Sequence, residues 1–410
     1  MSIFICNSNE KNKRNKSSKY DSKKLDNIIN DDNKYKKDLN LNQDIDMQTN
    51  YKLNETPDEK DCSVKGTIGL ANLGFTCYFN SILQNLKNVY PFTLYLLKNY
   101  KNFNKSGFTY KYCKLIANLI SQKKNKYFEP SEFFNCLQEL APIFRICEQN
   151  DSCICILYIF KYLEKEIKKP GEPNPDIIDS LNEEDKKKFK HFISKSFSGK
   201  NSYILDYFYG FQQEIFKCRK CQSSRIFFQG FSVLNLPIAI SDVQRISKLE
   251  DAFKCYQLWR THKDKENFDC SDCKGRDTMN RSLIISYPKI LIINFKRIGE
   301  EYFYNHNVEI PPELILDKYK YELIGFIEHI GGPKSGHNIA LCKNFFDDRW
   351  YEYNDDQVRR IEYFNIKNKK EKPDTKNGFL FFYKRLDIFE NIETKEGKNI
   401  IIDASFSLME

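Results

Sequence analysis

The spacing of apolar and polar positions changes character twice along the 410-residue chain. Residues 1–62 are rich in Asn, Lys, Asp and Ser and hold no sustained apolar period, which predicts a disordered tail. From Gly66 a helical rhythm begins. In "TCYFNSILQNLKNV" the apolar residues Tyr78, Ile82, Leu86 and Val89 recur at helical spacing. "EPSEFFNCLQELAPIF" and "CILYIFKYLEKEIKK" predict two further helices, the second with Leu157, Phe160, Leu163 and Ile167 on one stripe. "KKPGEPNPDIIDSLNEEDKKK" then reads as an irregular excursion, its clustered prolines followed by mixed charge.

From about residue 202 the rhythm shortens. "GFSVLNLPIAI" alternates Leu234, Leu236, Ile238 and Ile240, and "SLIISYPKILIINFKRI" reads as two apolar runs broken at Pro288. "KYELIGFIEHI", "HNIALCKNFF", "RWYEYNDD" and "GFLFFYKRL" are short, aromatic-rich and β-branched. A helical front half followed by a strand-rich back half predicts an α+β architecture of two packed lobes.

The net charge of +9 raises nucleic acid as a partner, but the charges do not cluster. The first 60 residues carry 12 Lys and Arg against 11 Asp and Glu, a mixture that solvates a chain rather than building a phosphate-binding face. No nucleic-acid partner is expected. No run approaches the ~18 apolar residues of a membrane span. The apolar start has its basic residues on the wrong side for a secretory signal. These features predict a soluble intracellular protein, cytoplasmic or nuclear, with no membrane partner. In that reducing setting the 14 cysteines point to chemistry or metal rather than disulfides. Nine are scattered, several among apolar neighbours (Cys136, Cys147, Cys153 and Cys155), where a thiol acts as a small hydrophobe.

Four others form two matched pairs, Cys218 and Cys221 in "FKCRKCQ" and Cys270 and Cys273 in "FDCSDCKG". Four thiolates satisfy a tetrahedral Zn²⁺ site with no open position, so the expected metal is structural. Because 48 residues separate the pairs, two hairpin tips must converge to form it.

Cys77 stands where "GLANLGFTCYFNSILQNL" turns from a loop into a helix. The unpaired N–H groups of a helix N-terminus favour a thiolate there. Such a nucleophile needs an imidazole and a group to orient the ring. His337 follows the flexible stretch "IGGPKSG" and opens a strand, and "RWYEYNDDQV" offers Asn354, Asp355 and Asp356 nearby. A hairpin between the two segments would bring Asn354 or Asp355 beside His337.

In company, these segments resemble the ubiquitin-specific proteases, papain-like cysteine deubiquitinases. "GLANLGFTCYFNSILQNL" is similar to the family's Cys box, "SGHNIALCKN" with "RWYEYNDDQV" to its His box, and "GFLFFYKR" to its closing strand. "FKCRKC", "FSVLNLPI", "LEDAF", "CSDC" and "YPKILIINFKR" follow the intervening zinc-bearing region in order. The resemblance implies a catalytic domain over 66–386. Within it, 66–205 would be a mainly helical thumb, 206–300 the β fingers with the zinc site, and 301–386 the β-rich palm; 387–410 would be a C-terminal tail.

The resemblance also implies roles. Cys77 would be the nucleophile, His337 its general base, and Asn354 the ring's orienting partner, with Asp355 a supporting or alternative one. Asn72 would supply an oxyanion-hole carboxamide beside the Cys77 N–H, and no cofactor would take part in the chemistry. The reaction would be hydrolysis after the C-terminal Gly of ubiquitin, on ubiquitinated proteins, by a monomeric domain with a possible targeting partner. Three departures stand out. Phe75 replaces the usual Asn, Asn338 replaces a Tyr and is expected to alter only packing, and Ile154 replaces a Glu in "QNDSCIC". Gln149 and Asp151 survive there as substrate-binding candidates. The lost charge leaves open a protease for another ubiquitin-like modifier, and an inactive ubiquitin-binding scaffold is the remaining alternative.

Overall fold

The computed structural model describes residues 64–409 apart from 122–126, 146–147, 241–243, 264–268, 298–303, 333–334, 363–374 and 390–393. The expected tail over 1–62, and Cys147, lie outside the described residues.

The helical lobe opens with strand β1 (Gly69–Leu70) and helix α1 (Cys77–Lys87), followed by α2 (Tyr90–Asn99) and α3 (Phe108–Ile120). Strand β2 (Tyr127–Phe128), which pairs in parallel with β1, precedes α4 (Ser131–Leu140) and α5 (Ser152–Glu166). Helix α1 is buried along its whole length. One side carries Phe79, Ile82, Leu83 and Leu86 into the core. The other carries Asn80, Gln84 and Lys87 at i, i+4 and i+7, and each finds a backbone carbonyl of the extended segment before β1 or within it. Asn80 donates to Leu70 and Ala71, Gln84 to Ile68 and Lys87 to Gly66. Burying polar groups is tolerable only when they are paired in this way. The polar stripe therefore stitches residues 66–71 along the helix and brings the following loop back to its N-terminus.

Helix α6 (Glu183–Phe197) lies within the expected excursion and its continuation. The Asn182 side chain caps it, and Glu183, Glu184 and Asp185 suit the positive end of its dipole. Phe189, Phe192, Ile193 and Phe197 pack on Phe211 and Phe228. Their helical spacing was present in the sequence, but surrounding lysines masked it. The short helix α7 (Tyr203–Phe208) then leads into the strands.

Two sheets follow. A four-stranded antiparallel sheet runs in the order β4–β3–β7–β6, formed by β3 (Gly210–Cys218), β4 (Ser224–Phe231), β6 (Arg260–Lys263) and β7 (Asp277–Ser286). The larger sheet has the order β13–β12–β11–β10–β14–β8–β5, with β9 pairing β10. Its strands are β5 (Leu234–Leu236), β8 (Ile290–Phe295), β9 (Glu313–Leu316), β10 (Tyr319–Gly331), β11 (Gly336–Lys343), β12 (Trp350–Asn354), β13 (Gln357–Ile361) and β14 (Gly378–Arg385). Helix α8 (Leu249–Tyr256) packs beside β5. Thus β5 and β8, expected among the fingers, belong to the large sheet. The break at Pro288 falls where the chain passes from one sheet to the other. The alternation foreseen through Ile240 stops at β5, because Pro237 has no N–H for the ladder, and Ile240 is exposed.

The chain ends with α9 (Leu386–Phe389) and α10 (Lys395–Met409). Expected as a tail, the latter returns to the helical lobe and buries Ile401 and Leu408 beside α2 and α3. Among the described residues no helix is long and apolar enough to cross a membrane.

Candidate active site

Cys77 is the first residue of α1 and is 5 % exposed. The loop before it is closed by its own side chains. Asn72 Oδ1 accepts from the N–H groups of Gly74 and Thr76, each at 3.0 Å, and Thr76 Oγ accepts from Leu73 N–H at 2.9 Å. The curl needs left-handed backbone at Gly74 (φ 99°) and Phe75 (φ 56°). Glycine adopts this freely, whereas for a bulky side chain it is strained.

The second half of the site comes from the antiparallel β11–β12 hairpin. His337, near the start of β11, shares a 2.6 Å hydrogen bond through Nε2 with Asn354 Oδ1 at the end of β12. The Cys77 side chain stands close enough to the ring to be the largest influence on its protonation. The neighbouring Cys77 outweighs the opposing cost of burial and, with Asn354 and the charge of Asp355, pushes the His337 pKa up to about 9. Across neutral pH the imidazole is therefore protonated.

Asp355 was expected as a supporting or alternative partner of the ring. Its Oδ2 lies 3.9 Å from His337 Nε2, outside direct bonding, so Asn354 is the bonded partner. Both Asp355 oxygens are instead committed to the other lobe. Oδ2 accepts from Asn72 Nδ2 at 2.7 Å and Oδ1 from Asn80 Nδ2 at 2.8 Å, while the Asp355 carbonyl accepts from Leu70 N–H at 2.8 Å. One acidic residue thus clamps the Cys77 loop to the His337 hairpin. Asn80 went unremarked in the sequence because its partner lies 275 positions away.

The candidates Gln149 and Asp151 lie near the pair with their side chains engaged. Gln149 Nε2 donates to the Gly336 carbonyl at 3.0 Å. Asp151 caps α5 by accepting from Cys153 N–H at 2.5 Å. Ile154, one of the departures, packs half-buried against the helical core. Asn338 does more than fill space, since it donates to Ser152 across the lobes. Of the four other histidines, His329 meets Asn338 beside the site, His306 meets the Ile246 carbonyl, His262 meets Asn280, and His191 is exposed.

Far along the chain from Cys77, the four paired cysteines converge with all their sulfurs within 4.8 Å of one another. The two turns repeat one pattern. Gln222 N–H bonds the Cys218 carbonyl and Lys274 N–H the Cys270 carbonyl, and both Gln222 and Lys274 have positive φ. Each turn aims its sulfurs at the other, leaving Cys218 and Cys273 3.7 Å apart and Cys221 and Cys270 3.6 Å apart. The cluster can hold a metal ion.

Comparison with known proteins bears on this arrangement. The family description "Ubiquitin carboxyl-terminal hydrolase" matches residues 68–383. The rat protein ubiquitin carboxyl-terminal hydrolase 2 (Rattus norvegicus) is 26 % identical over 345 residues, covering 78 % of this chain and 54 % of its own length. Its human namesake (Homo sapiens) is also 26 % identical over 345 residues, with 78 % and 55 % covered. This chain therefore spans about half the length of these curated relatives. Among solved structures, a chain of the SAGA DUB module Ubp8/Sgf11/Sus1/Sgf73 bound to monoubiquitin matches with a TM-score of 0.59 and 20 % identity, covering 81 % of this chain and 71 % of that one. That likeness shows the fold.

Proposed function

Since the chain belongs to the ubiquitin carboxyl-terminal hydrolase family, we propose that it is a cysteine-type deubiquitinase that hydrolyses peptide and isopeptide bonds after the C-terminal glycine of ubiquitin. The observation that carries this reading is the His337 ring, bonded to Asn354 and acted on directly by the Cys77 side chain at the start of α1.

In the proposed reaction the Cys77 sulfur attacks the glycine carbonyl carbon. The negative oxygen that develops is met by the Cys77 backbone N–H and by Asn72. The Asn72 carboxamide has two hydrogens, and Asp355 accepts only one of them. A donor held in advance where charge develops typically contributes a factor of about 10²–10³ in rate. His337 then gives its proton to the departing lysine amine, and a thioester remains on Cys77. A water, deprotonated by the same ring, releases ubiquitin and restores the thiol. Asn354 keeps Nε2 engaged so that the opposite nitrogen faces sulfur.

We assign Zn²⁺ to Cys218, Cys221, Cys270 and Cys273. Four sulfurs around zinc at its usual bond length lie about 3.8 Å apart, close to the 3.6 and 3.7 Å separations here. With four thiolates the coordination is complete, so the ion would hold the tips of the small sheet together and take no part in the chemistry.

The test is hydrolysis of ubiquitin carrying a C-terminal fluorophore amide. The wild-type chain is expected to release the dye, and Cys77→Ala and His337→Gln to abolish release. Activity at wild-type level in Cys77→Ala would overturn the assignment.

A further inference from the structure

Tyr78 directly follows Cys77 and Asn338 directly follows His337, and a second bridge joins these two neighbours. Asn338 Nδ2 donates to Ser152 Oγ at 3.1 Å, and the Ser152 hydroxyl donates to the Tyr78 carbonyl at 3.2 Å. Ser152 is 1 % exposed and Asn338 7 %. The direction of the bridge is forced. A carbonyl can only accept and a hydroxyl has one hydrogen, so the Ser152 proton goes to Tyr78 and its lone pair faces the Asn338 amide. That orientation turns Asn338 Oδ1 toward His329 Nδ1, 2.8 Å away, while His329 Nε2 faces the Gly332 carbonyl at 3.1 Å.

On the other side of His337, the Gly336 carbonyl accepts from Gln149. Asp151, between Gln149 and Ser152, caps α5 and so fixes where Ser152 stands. The strand that carries the imidazole is thus fastened immediately before and after His337 by residues 149–152 of the opposite lobe.

We propose that Ser152 is a positioning residue, which through Asn338 and Tyr78 sets the distance between the Cys77 sulfur and the His337 ring. The inference rests on the reading of Cys77 and His337 as the reacting pair. It gives the 149–152 segment a task besides meeting substrate. Without the hydroxyl, the buried Asn338 amide loses its acceptor and must shift, taking the start of β11 with it. Misplacement of a reacting group by about 1 Å can cost about 10²-fold in rate.

The experiment uses the full chain with Ser152→Ala, Asn338→Ala, the double variant and Ser152→Thr. The chain has five histidines, so their ring C–H resonances can be followed by NMR, with His337 identified by its loss in His337→Gln. The wild-type His337 midpoint is expected near pH 9, and in Ser152→Ala it should fall toward the ordinary 6.5 as the ring moves away from the sulfur. With ubiquitin–fluorophore, kcat should fall by about 10- to 100-fold while KM stays within about twofold. The double variant should be no worse than the poorer single one. Ser152→Thr, which keeps the hydroxyl, should restore both readouts. An unmoved His337 titration, a rise in KM at constant kcat, or additive losses would overturn the proposal. The titration needs no substrate, so a wild-type chain that fails to cleave ubiquitin defeats the functional reading and leaves the bridge testable.

Discussion

Asp355 Oδ2 accepts a 2.7 Å hydrogen bond from Asn72 Nδ2, joining residues 283 positions apart, and the same carboxylate holds Asn80 through its other oxygen. The proposed oxyanion donor is therefore aimed from the opposite lobe as well as by its own loop. In Asp355→Asn an amide nitrogen would face one of two donors. We expect kcat on ubiquitin–fluorophore to fall by about 10²–10³, as for loss of an oxyanion donor, with little change in KM. A loss confined to KM would assign Asp355 to substrate binding instead.

Phe75 holds a left-handed backbone with its side chain 53 % exposed, so it has strain and little burial to offset it. Asn tolerates that conformation far better. Phe75→Asn should raise unfolding stability by about 1 kcal/mol, read from the urea midpoint at unchanged slope. An unchanged or lower midpoint would mean that the exposed ring makes compensating contacts.

Two cations, Lys87 fully buried and His337 half-buried, give opposite pH dependences. His337 keeps its proton to about pH 9, above the unfolded value of 6.5, so between those pH values the folded state binds more protons and stability falls as pH rises. Burial lowers the Lys87 pKa to about 7 from 10.5, so over that range the unfolded chain binds more protons and stability rises with pH. Between pH 7 and 9 the two slopes oppose each other. His337→Gln should leave a midpoint that climbs with pH, and Lys87→Met one that declines from a lower start. Urea titrations at several pH values decide this, and parallel curves for all three chains would contradict it.

The same ring predicts an alkaline limit on turnover. Cleavage of an isopeptide bond needs a proton for the leaving amine, so kcat/KM should decline as pH passes about 9. A rate still rising past that point would mean that another group protonates the amine.

Removing the metal should loosen one end of the molecule only. Stripping zinc with a chelator, or substituting Cys270→Ser, should lower Tm by at least about 4 °C, equivalent to ~3 kcal/mol or more for a folded body of this size. Metal analysis of the wild type should return a single zinc per chain. A chain that binds none, or a Tm indifferent to Cys270→Ser, would remove zinc from the account.

Much of this protein was legible in its residues because the signals are local. The 3.6-residue period of Tyr78, Ile82 and Leu86 marks α1, the repeated CxxC spacing marks the four-cysteine cluster, and the 17 positions between His337 and Asn354 suit one hairpin. The resemblance to a known family added the roles proposed for Cys77 and His337. What the residues did not disclose depends on how the lobes dock. The clamp of Asp355 on Asn72 and Asn80, the fastening of Gly336 by Gln149, and the bridge from Asn338 through Ser152 to Tyr78 join segments 74 to 283 positions apart. The return of α10 to the helical core is of the same kind. Such contacts leave no period in the sequence. A side chain's polarity shows that it needs a partner, and only the packed fold determines which one lies within hydrogen-bond distance.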